Sequence, residues 1–243
     1  MIISVKTMQK ISKIKNSLYD AIKIEYLYHS NKLEGSTFSK ENLIDLLEQK
    51  QVVGEHFIDD VIETKNSLEL FDEIIDTLND PFDKYLLWNW HRSLKKGSID
   101  DEIGNIGKWK KYQNRLSKTD LKLCEPHLVE NKMFNLLEDW ENSKKDIYAI
   151  ADFHQKFEHI HPFQDGNGRI GRFIILRQCI ENEVDLIAID DEYDKEYKSA
   201  LYHAQTTNDI EDIVEVFKKC QVRIDEKLKD YKSLLEQVSN EEN

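Results

Sequence analysis

The chain has 243 residues, 40% of them hydrophobic and 33% charged, with a formal net charge of −13. It is long enough to bury a real core as one large domain or two small ones, and an acidic balance with no basic stripe argues against nucleic acid as a partner. Only 8 Gly and 3 Pro interrupt it, which favours long helices over many short strands.

Residues of about 8 to 34 carry a helical spacing of apolar side chains, Ile11, Ile14, Leu18, Ile22 and Leu27, with Gly35 as a left-handed stop. A second helix is expected in "STFSKENLIDLLEQK" with Ser39 as its N-cap, and a third in "DDVIETKNSLELFDEIIDTL". Asp80 before Pro81 makes a helix opening, with Asp83 in the first turn. Residues 97 to 120 break the pattern with three glycines. They read as a long connection containing a small hairpin, and a loop of that length in a compact domain is often functional. Helices resume in "EPHLVENKMFNLLEDW" and "DIYAIADFHQKFEHI"; Pro162 should end the latter near His161. Further helices follow in "GNGRIGRFIILRQCIEN", "DEYDKEYKSALYHAQTT" and the stretch from Asp209 to Gln237.

Cys124, Cys179 and Cys220 are odd in number and widely spaced, so neither a disulfide framework nor a zinc ribbon is expected. "MIISVKTMQK" lacks a signal-peptide run and "FIIL" is too short to span a bilayer. The expected setting is the cytoplasm, without membrane association.

Chemistry concentrates in "HPFQDGNGRIGR", His161 to Arg172. His161 closes one helix, and Arg169 and Arg172 share a face in the first turns of the next. Arginine is disfavoured at a helix N-terminus, where the dipole is already positive, so two of them imply an anion. Gly166 and Gly168 let backbone N–H groups approach it, as at other phosphate-binding helix starts. Asp165 would repel a phosphate unless a cation intervened, and a carboxylate beside phosphate suits Mg²⁺. His161 can take a proton from an attacking hydroxyl near neutral pH. Together these residues read as a phosphoryl or nucleotidyl transfer site.

This stretch resembles the Fic family motif HxFx(D/E)GNGRxxR, matched at every defined position. The similarity runs from the "SNKLEGS" region to the helix after residue 193. The resemblance implies an all-α fold, the Fic helical bundle with a small β-hairpin flap. Its expected regions are an N-terminal helical part (1–80), a catalytic core (81–220) and a C-terminal helix extension (221–243). It also implies transfer of AMP from ATP, with Mg²⁺, to a Ser, Thr or Tyr hydroxyl of a target protein. In that scheme His161 is the base, Phe163 anchors the loop in the core, and Asp165 holds the metal. Gly166, Asn167 and Gly168 cradle the phosphates, Arg169 and Arg172 bind the outer ones, and Ile170 and Gly171 complete the nucleotide-binding run. A Fic-like branch that phosphorylates departs at the second glycine of GNG; Gly168 is retained here, which favours AMP transfer.

"GKWKKYQNRLS" resembles the family's flap over the nucleotide and target, where the target segment would add as a strand. Asn114, Arg115, Leu116 and Ser117 then lie over the site. Two departures stand out: the family usually has β-branched apolar residues near Asn114, and often glycine where Ser117 stands. In "DKEYKSALYHAQ", Tyr197 and Lys198 match positions beside the adenine, and Gln205 replaces a family asparagine. Expected partners are ATP and a target protein on the flap; a homodimer is open.

"SNKLEG", Ser30 to Gly35, resembles the family's inhibitory motif (S/T)xxxE(G/N). Glu34 in the last turn of a helix sits at the wrong end for an anion, costing about 0.3–1 kcal/mol, and so calls for a specific cation. Arg172 is the candidate, and Ser30 on the same helix face would orient the carboxylate. A Glu34–Arg172 pair would take the place needed by the γ-phosphate. Three alternatives stay open: a metal hydrolase built on His154, His159, His161 and Asp165; a catalytically silent nucleotide-binding regulator; and removal of AMP by the same fold.

Overall fold

The computed structural model of the chain describes residues 1–115 and 120–231. Among these residues there are α-helices, short 3₁₀ turns and no strand. The helices are α1 (Val5–Ile11), α2 (Leu18–Leu33), α3 (Lys40–Glu48), α4 (Ile58–Asp76), α5 (Lys84–Lys95), α6 (Ile99–Glu102), α7 (Val129–Glu141), α8 (Ile147–Ile160), α9 (Asn167–Glu181), α10 (Asp194–Thr207) and α11 (Glu211–Lys227).

Helix α9 is the axis of the fold. Thirteen of its 15 residues are buried, the mark of a helix surrounded by others rather than lying on a surface. It packs against α8, α4, α5, α2 and α1. Phe173, Ile174, Ile175, Leu176 and Ile180 fill the core around it, each 1% exposed or less. The core runs without a break from Met8 on α1 to Phe217 on α11, across the expected boundary at residue 80.

The single helix expected from residue 8 to 34 is two. α1 ends at Ile11 with Ser12 as its C-cap, and Ser17 opens α2, its Oγ accepting from Tyr19 N at 3.2 Å and donating back to the Ile11 carbonyl at 3.1 Å. Gly35 takes φ +87° beyond α2, and Ser39 caps α3 through a reciprocal box with Asn42. The opening at Asp80–Pro81 is displaced. Asp83 is the cap of α5, accepting from Tyr85 N at 2.9 Å and Leu86 N at 3.0 Å, because its carboxylate, not Pro81, satisfies the free N–H groups. Helix α11 stops at Lys227, and residues beyond 231 lie outside those described.

No hairpin forms in the described part of residues 97 to 115. It contains α6 and then irregular backbone. A main-chain bond from Lys110 N to Pro162 O, 2.8 Å, fastens this segment to the loop before α9. Leu116 and Ser117 lie outside the described residues. Among the described residues no helix is long and apolar enough to cross a membrane.

Candidate active site

The loop between α8 and α9 is built around Phe163 and Asn167. His161 caps α8 in the left-handed region, φ +50°, which turns the chain sharply away from the helix. Phe163 is fully buried and stacks on His91 at 4.0 Å with the rings 3° from parallel. Asn167 closes the loop: its Oδ1 accepts from Phe163 N at 2.8 Å and its Nδ2 donates to Phe163 O at 3.0 Å. The Asn167 side chain is therefore committed to the loop, and only its backbone remains for the expected phosphate cradle. His91 joins two segments. Gly107 N donates to its Nδ1 at 3.0 Å, so Nε2 carries the proton and donates to Asp165 O at 3.0 Å. Burial holds His91 down at about 4, so this neutral tautomer persists.

Gly166, φ +77°, precedes α9. Its left-handed geometry is one that glycine adopts without strain, and it presents the free N–H groups of the helix start. Gly168 is bare for a different reason. A Cβ there would fall 2.2 Å from Glu34 Oε1 and 3.1 Å from Arg172 Nη1, so the carboxylate of Glu34 lies directly over the first turn of α9.

Arg172 is held on three sides by α2. Its Nε donates to Ser30 Oγ at 2.8 Å, and its Nη2 donates to Ser30 O at 3.0 Å and to Glu34 Oε1 at 2.6 Å. Ser30 thus orients the arginine, not the glutamate as its helix spacing suggests. The Arg172 side chain is 4% exposed and that of Glu34 39%. Burial works to raise the Glu34 pKa, but the charges of Arg172 and Arg169 outweigh it and hold the carboxyl below its ordinary value.

A cleft of about 830 Å³ opens beside this pair, lined by Glu34, His161, Gly168 and Arg172 and by Tyr197, Lys198 and Gln205 of α10. His161 Nδ1 lies 3.3 Å from Glu158 O. A carbonyl only accepts, so Nδ1 carries the proton of the neutral ring and Nε2 keeps its lone pair. Burial, then the charge of Lys110, hold His161 down at about 4. Glu158, outside the 161–172 motif, is a further wall of the cleft. Its carboxyl is buried, Oε1 has no hydrogen-bond partner, and it lies where a Cβ on Gly171 would be 2.4 Å away. Burial pushes it up to about 8, against the pull of Arg172 and with the charge of Glu34 adding. Spacing alone marks it: His154 and Glu158 lie at i and i+4 on one face of α8, which His161 caps.

Asp165 is turned toward α5. Its Oδ2 lies 2.5 Å from Lys95 Nζ, while the side chain stays 59% exposed. Burial opposes the charge of both partners. The Lys95 ammonium nevertheless holds Asp165 down at about 2, and Asp165, Asp100 and Glu63 hold Lys95 above its usual value. Arg169 faces the same network through an ion pair with Glu63. It lines a second, smaller cleft of about 170 Å³ on the other side of Glu34, so Glu34 stands between the two arginines.

Other expected positions separate. Ile170 is fully buried in the core, on the opposite side of α9 from Gly168, and Gly171, one turn on from Gly168, packs against Glu158, His154 and Phe157. Asn114 reaches the loop, donating to Phe163 O at 3.0 Å and accepting from Lys110 Nζ at 2.9 Å. Arg115 is exposed and lines a different depression. Tyr197 bonds His154 Nε2 at 2.7 Å, Lys198 pairs with Asp194 at 2.7 Å, and Gln205 donates to Gln155 O at 3.3 Å. The four ligands of the hydrolase alternative do not converge. Among the described residues, the groups of three acids or histidines that do are His29, Asp190, Asp191 and Glu63, Asp100, Asp165.

A family model described as Fic/DOC family matches residues 81–179. A probable protein adenylyltransferase of Aquifex aeolicus is 35% identical over 83 residues, 33% of this chain and 25% of that one. The protein adenylyltransferase Fic of Aedes aegypti is 25% identical over 214 residues, 82% of this chain and 40% of that one. The chain thus spans well under half the length of these curated relatives. Among solved structures, a Fic domain containing signaling protein from Bacteroides thetaiotaomicron superposes with a TM-score of 0.78 at 22% identity, over 94% of this chain and 97% of that one. Fic-1 of Caenorhabditis elegans does so at 0.72 and 21% identity, over 94% and 71%. At those identities the likeness concerns the fold.

Proposed function

Residues 81–179 are a Fic/DOC family domain, and from that premise we propose that the protein is a protein adenylyltransferase held in check by its own Glu34. It transfers AMP from ATP to a Ser, Thr or Tyr hydroxyl of a target protein. The observation that carries this reading is the meeting of His161, Gly168 and Arg172 in the wall of a single cleft, a base, a bare helix start and a cation.

The attacking hydroxyl gives its proton to His161 Nε2 as its oxygen bonds to the α-phosphorus. The bond from that phosphorus to the bridging oxygen breaks, and pyrophosphate leaves. The depressed His161 pKa keeps the ring neutral and ready at physiological pH. The N–H groups at the start of α9 and the guanidinium of Arg172 stabilise the charge that develops on the phosphates. Asp165 offers a half-exposed, ionised carboxylate beside them, a donor that fits Mg²⁺, which takes one or two carboxylates with phosphate and water. Bound there, the metal would neutralise phosphate charge. Tyr197, Lys198 and Gln205 line the same cleft and would flank the adenosine, and the target segment would approach over residues 107–115.

Glu34 on Arg172 occupies the guanidinium that the outer phosphate requires, so ATP binds in a pose unsuited to attack. The direct test is incubation with α-labelled ATP and Mg²⁺, comparing wild type with Glu34→Gly. Covalent label in the variant supports the reading; its absence from both proteins, with a range of acceptors, counts for a silent nucleotide-binding regulator. The engaged, partly exposed Glu34 also favours a second reading, removal of AMP, in which this carboxylate orients the attacking water. Release of AMP from a modified acceptor by wild type but not by Glu34→Gly would support it.

A further inference from the structure

Lys95, at the end of α5, is the most enclosed cation near the loop, with a side chain 3% exposed. Its Nζ lies 2.5 Å from Glu63 Oε1, 2.7 Å from Asp100 Oδ2 and 2.5 Å from Asp165 Oδ2. An ammonium has three protons, and here each has a carboxylate of its own. The three acids come from α4, α6 and the loop before α9, and their ligand oxygens lie within 4.8 Å of one another. That is a span in which a divalent ion would take all three. Its centre already holds a cation, and the cation is part of the chain.

The charges explain why the arrangement is stable. Glu63, Asp100 and Asp165 contribute −3, and Lys95 with Arg169, which pairs with Glu63, contributes +2, leaving −1. Burying such groups is tolerable only when each is paired. A divalent ion added beside the ammonium would meet like charge at close range and find the inward oxygens of the acids already engaged.

We infer that Lys95 is a built-in counter-ion of the proposed phosphate site, occupying the position between Asp165, Glu63 and Asp100 that a divalent cation would otherwise take. The nucleotide-free protein therefore has no divalent site of its own there. A metal reaches Asp165 only from its exposed side, with its other ligands supplied from outside the chain. Lys95 also ties the loop to α4, α5 and α6, so Asp165 is in place before anything binds. The inference rests on the proposed reading only in calling this a phosphate site; the exclusion of metal stands on the ion pairs alone.

The test uses Mn²⁺ as the probe, titrated onto nucleotide-free protein and followed by its paramagnetic resonance signal, with thermal unfolding measured in parallel. Wild type should leave the free Mn²⁺ signal intact and its melting temperature unmoved. Lys95→Met should bind Mn²⁺ on the order of tenfold more tightly or better, and be stabilised by it. Should that variant fail to fold, Lys95→Met with Asp100→Asn restores the net charge of −1 and is read the same way. Equal Mn²⁺ affinity in wild type and in the folded variant, or tight binding by nucleotide-free wild type, overturns the inference. No nucleotide is present, so neither result depends on whether the protein transfers AMP.

Discussion

Glu34 Oε1 lies 2.6 Å from Arg172 Nη2, although 138 residues separate them in the chain. The contact lines the cleft that also holds His161. Arg172 is buried, held by Ser30 as well, and cannot swing away to a second anion. A phosphate and Glu34 must therefore compete for one fixed guanidinium.

Removing the competitor should raise transfer. Glu34→Gly is expected to increase AMP labelling roughly 5- to 150-fold, the range of a coupling worth 1–3 kcal/mol, with self-modification as an early product. The gain should vanish in Glu34→Gly combined with Arg172→Ala, since the phosphate needs the same cation. Assay of both single variants and the double variant checks this: equal labelling by wild type and Glu34→Gly removes the brake, and activation that survives loss of Arg172 removes the partner.

The pH dependence has a definite sign. Glu34 is held below its ordinary value by Arg172, so the contact and the stability it contributes are present above about pH 4.5 and lost as pH falls through the lower folded value. No release follows between about pH 6 and 8. In Glu34→Gly, His161 loses a neighbouring charge that favours its protonated form, so its pKa of about 4 should fall further. The kcat/KM of that variant is expected to stay flat from about pH 5.5 to 7.5. An inflection near the ordinary histidine value of about 6.5 would exclude His161, as placed here, from acting as the base.

His161→Ala should lower transfer by about 10²–10⁴-fold, the usual contribution of a general base. ATP affinity, measured by calorimetry in the Glu34→Gly background, should change by no more than a few fold. Its Nδ1 is engaged by Glu158, which leaves Nε2 for the proposed acceptor hydroxyl. Labelling near the level of Glu34→Gly alone would contradict the assignment.

Glu158 is raised from 4.5 to about 8 by burial. A raised folded value means that its contribution to stability is complete below about pH 4.5 and is lost as pH rises through about 8. Glu158→Gln removes that loss while keeping the shape of the side chain. The variant should melt close to wild type at about pH 4.5 and above it at pH 8, by about 2–4 °C for each kcal/mol recovered in a chain of this size. A melting difference that does not grow with pH would mean that the acid ionises without penalty.

Asn167→Ala should destabilise the fold by about 1–3 kcal/mol, because the buried Phe163 N loses its acceptor, while Phe163 O keeps only Asn114. Thermal unfolding checks the magnitude. Unchanged stability would show that the loop is closed by the Phe163–His91 stack without help from the asparagine.

The sequence by itself determined the features whose causes act over a few residues: the helical class, the left-handed turn at Gly35, the Ser39 cap, the end of α8 at His161 and the glycines that open α9. Apolar periodicity, capping side chains and left-handed glycines are local, and they were legible in order along the chain. The tertiary structure decided what depends on partners brought from afar. It broke the first helix between Ile11 and Leu18, with Ser17 capping the second part, and moved the start of α5 to Asp83, where one side chain won the free backbone groups. It gave Ser30 to the arginine rather than the glutamate, and spent the Asn167 amide on the loop. It also set Lys95 among acids from three other segments and left Glu158 half-paired in the cleft wall. Charge and burial at such positions are properties of the packed interior: a lysine or glutamate acquires its role from which groups share its space, and spacing along a helix records only which face it is on.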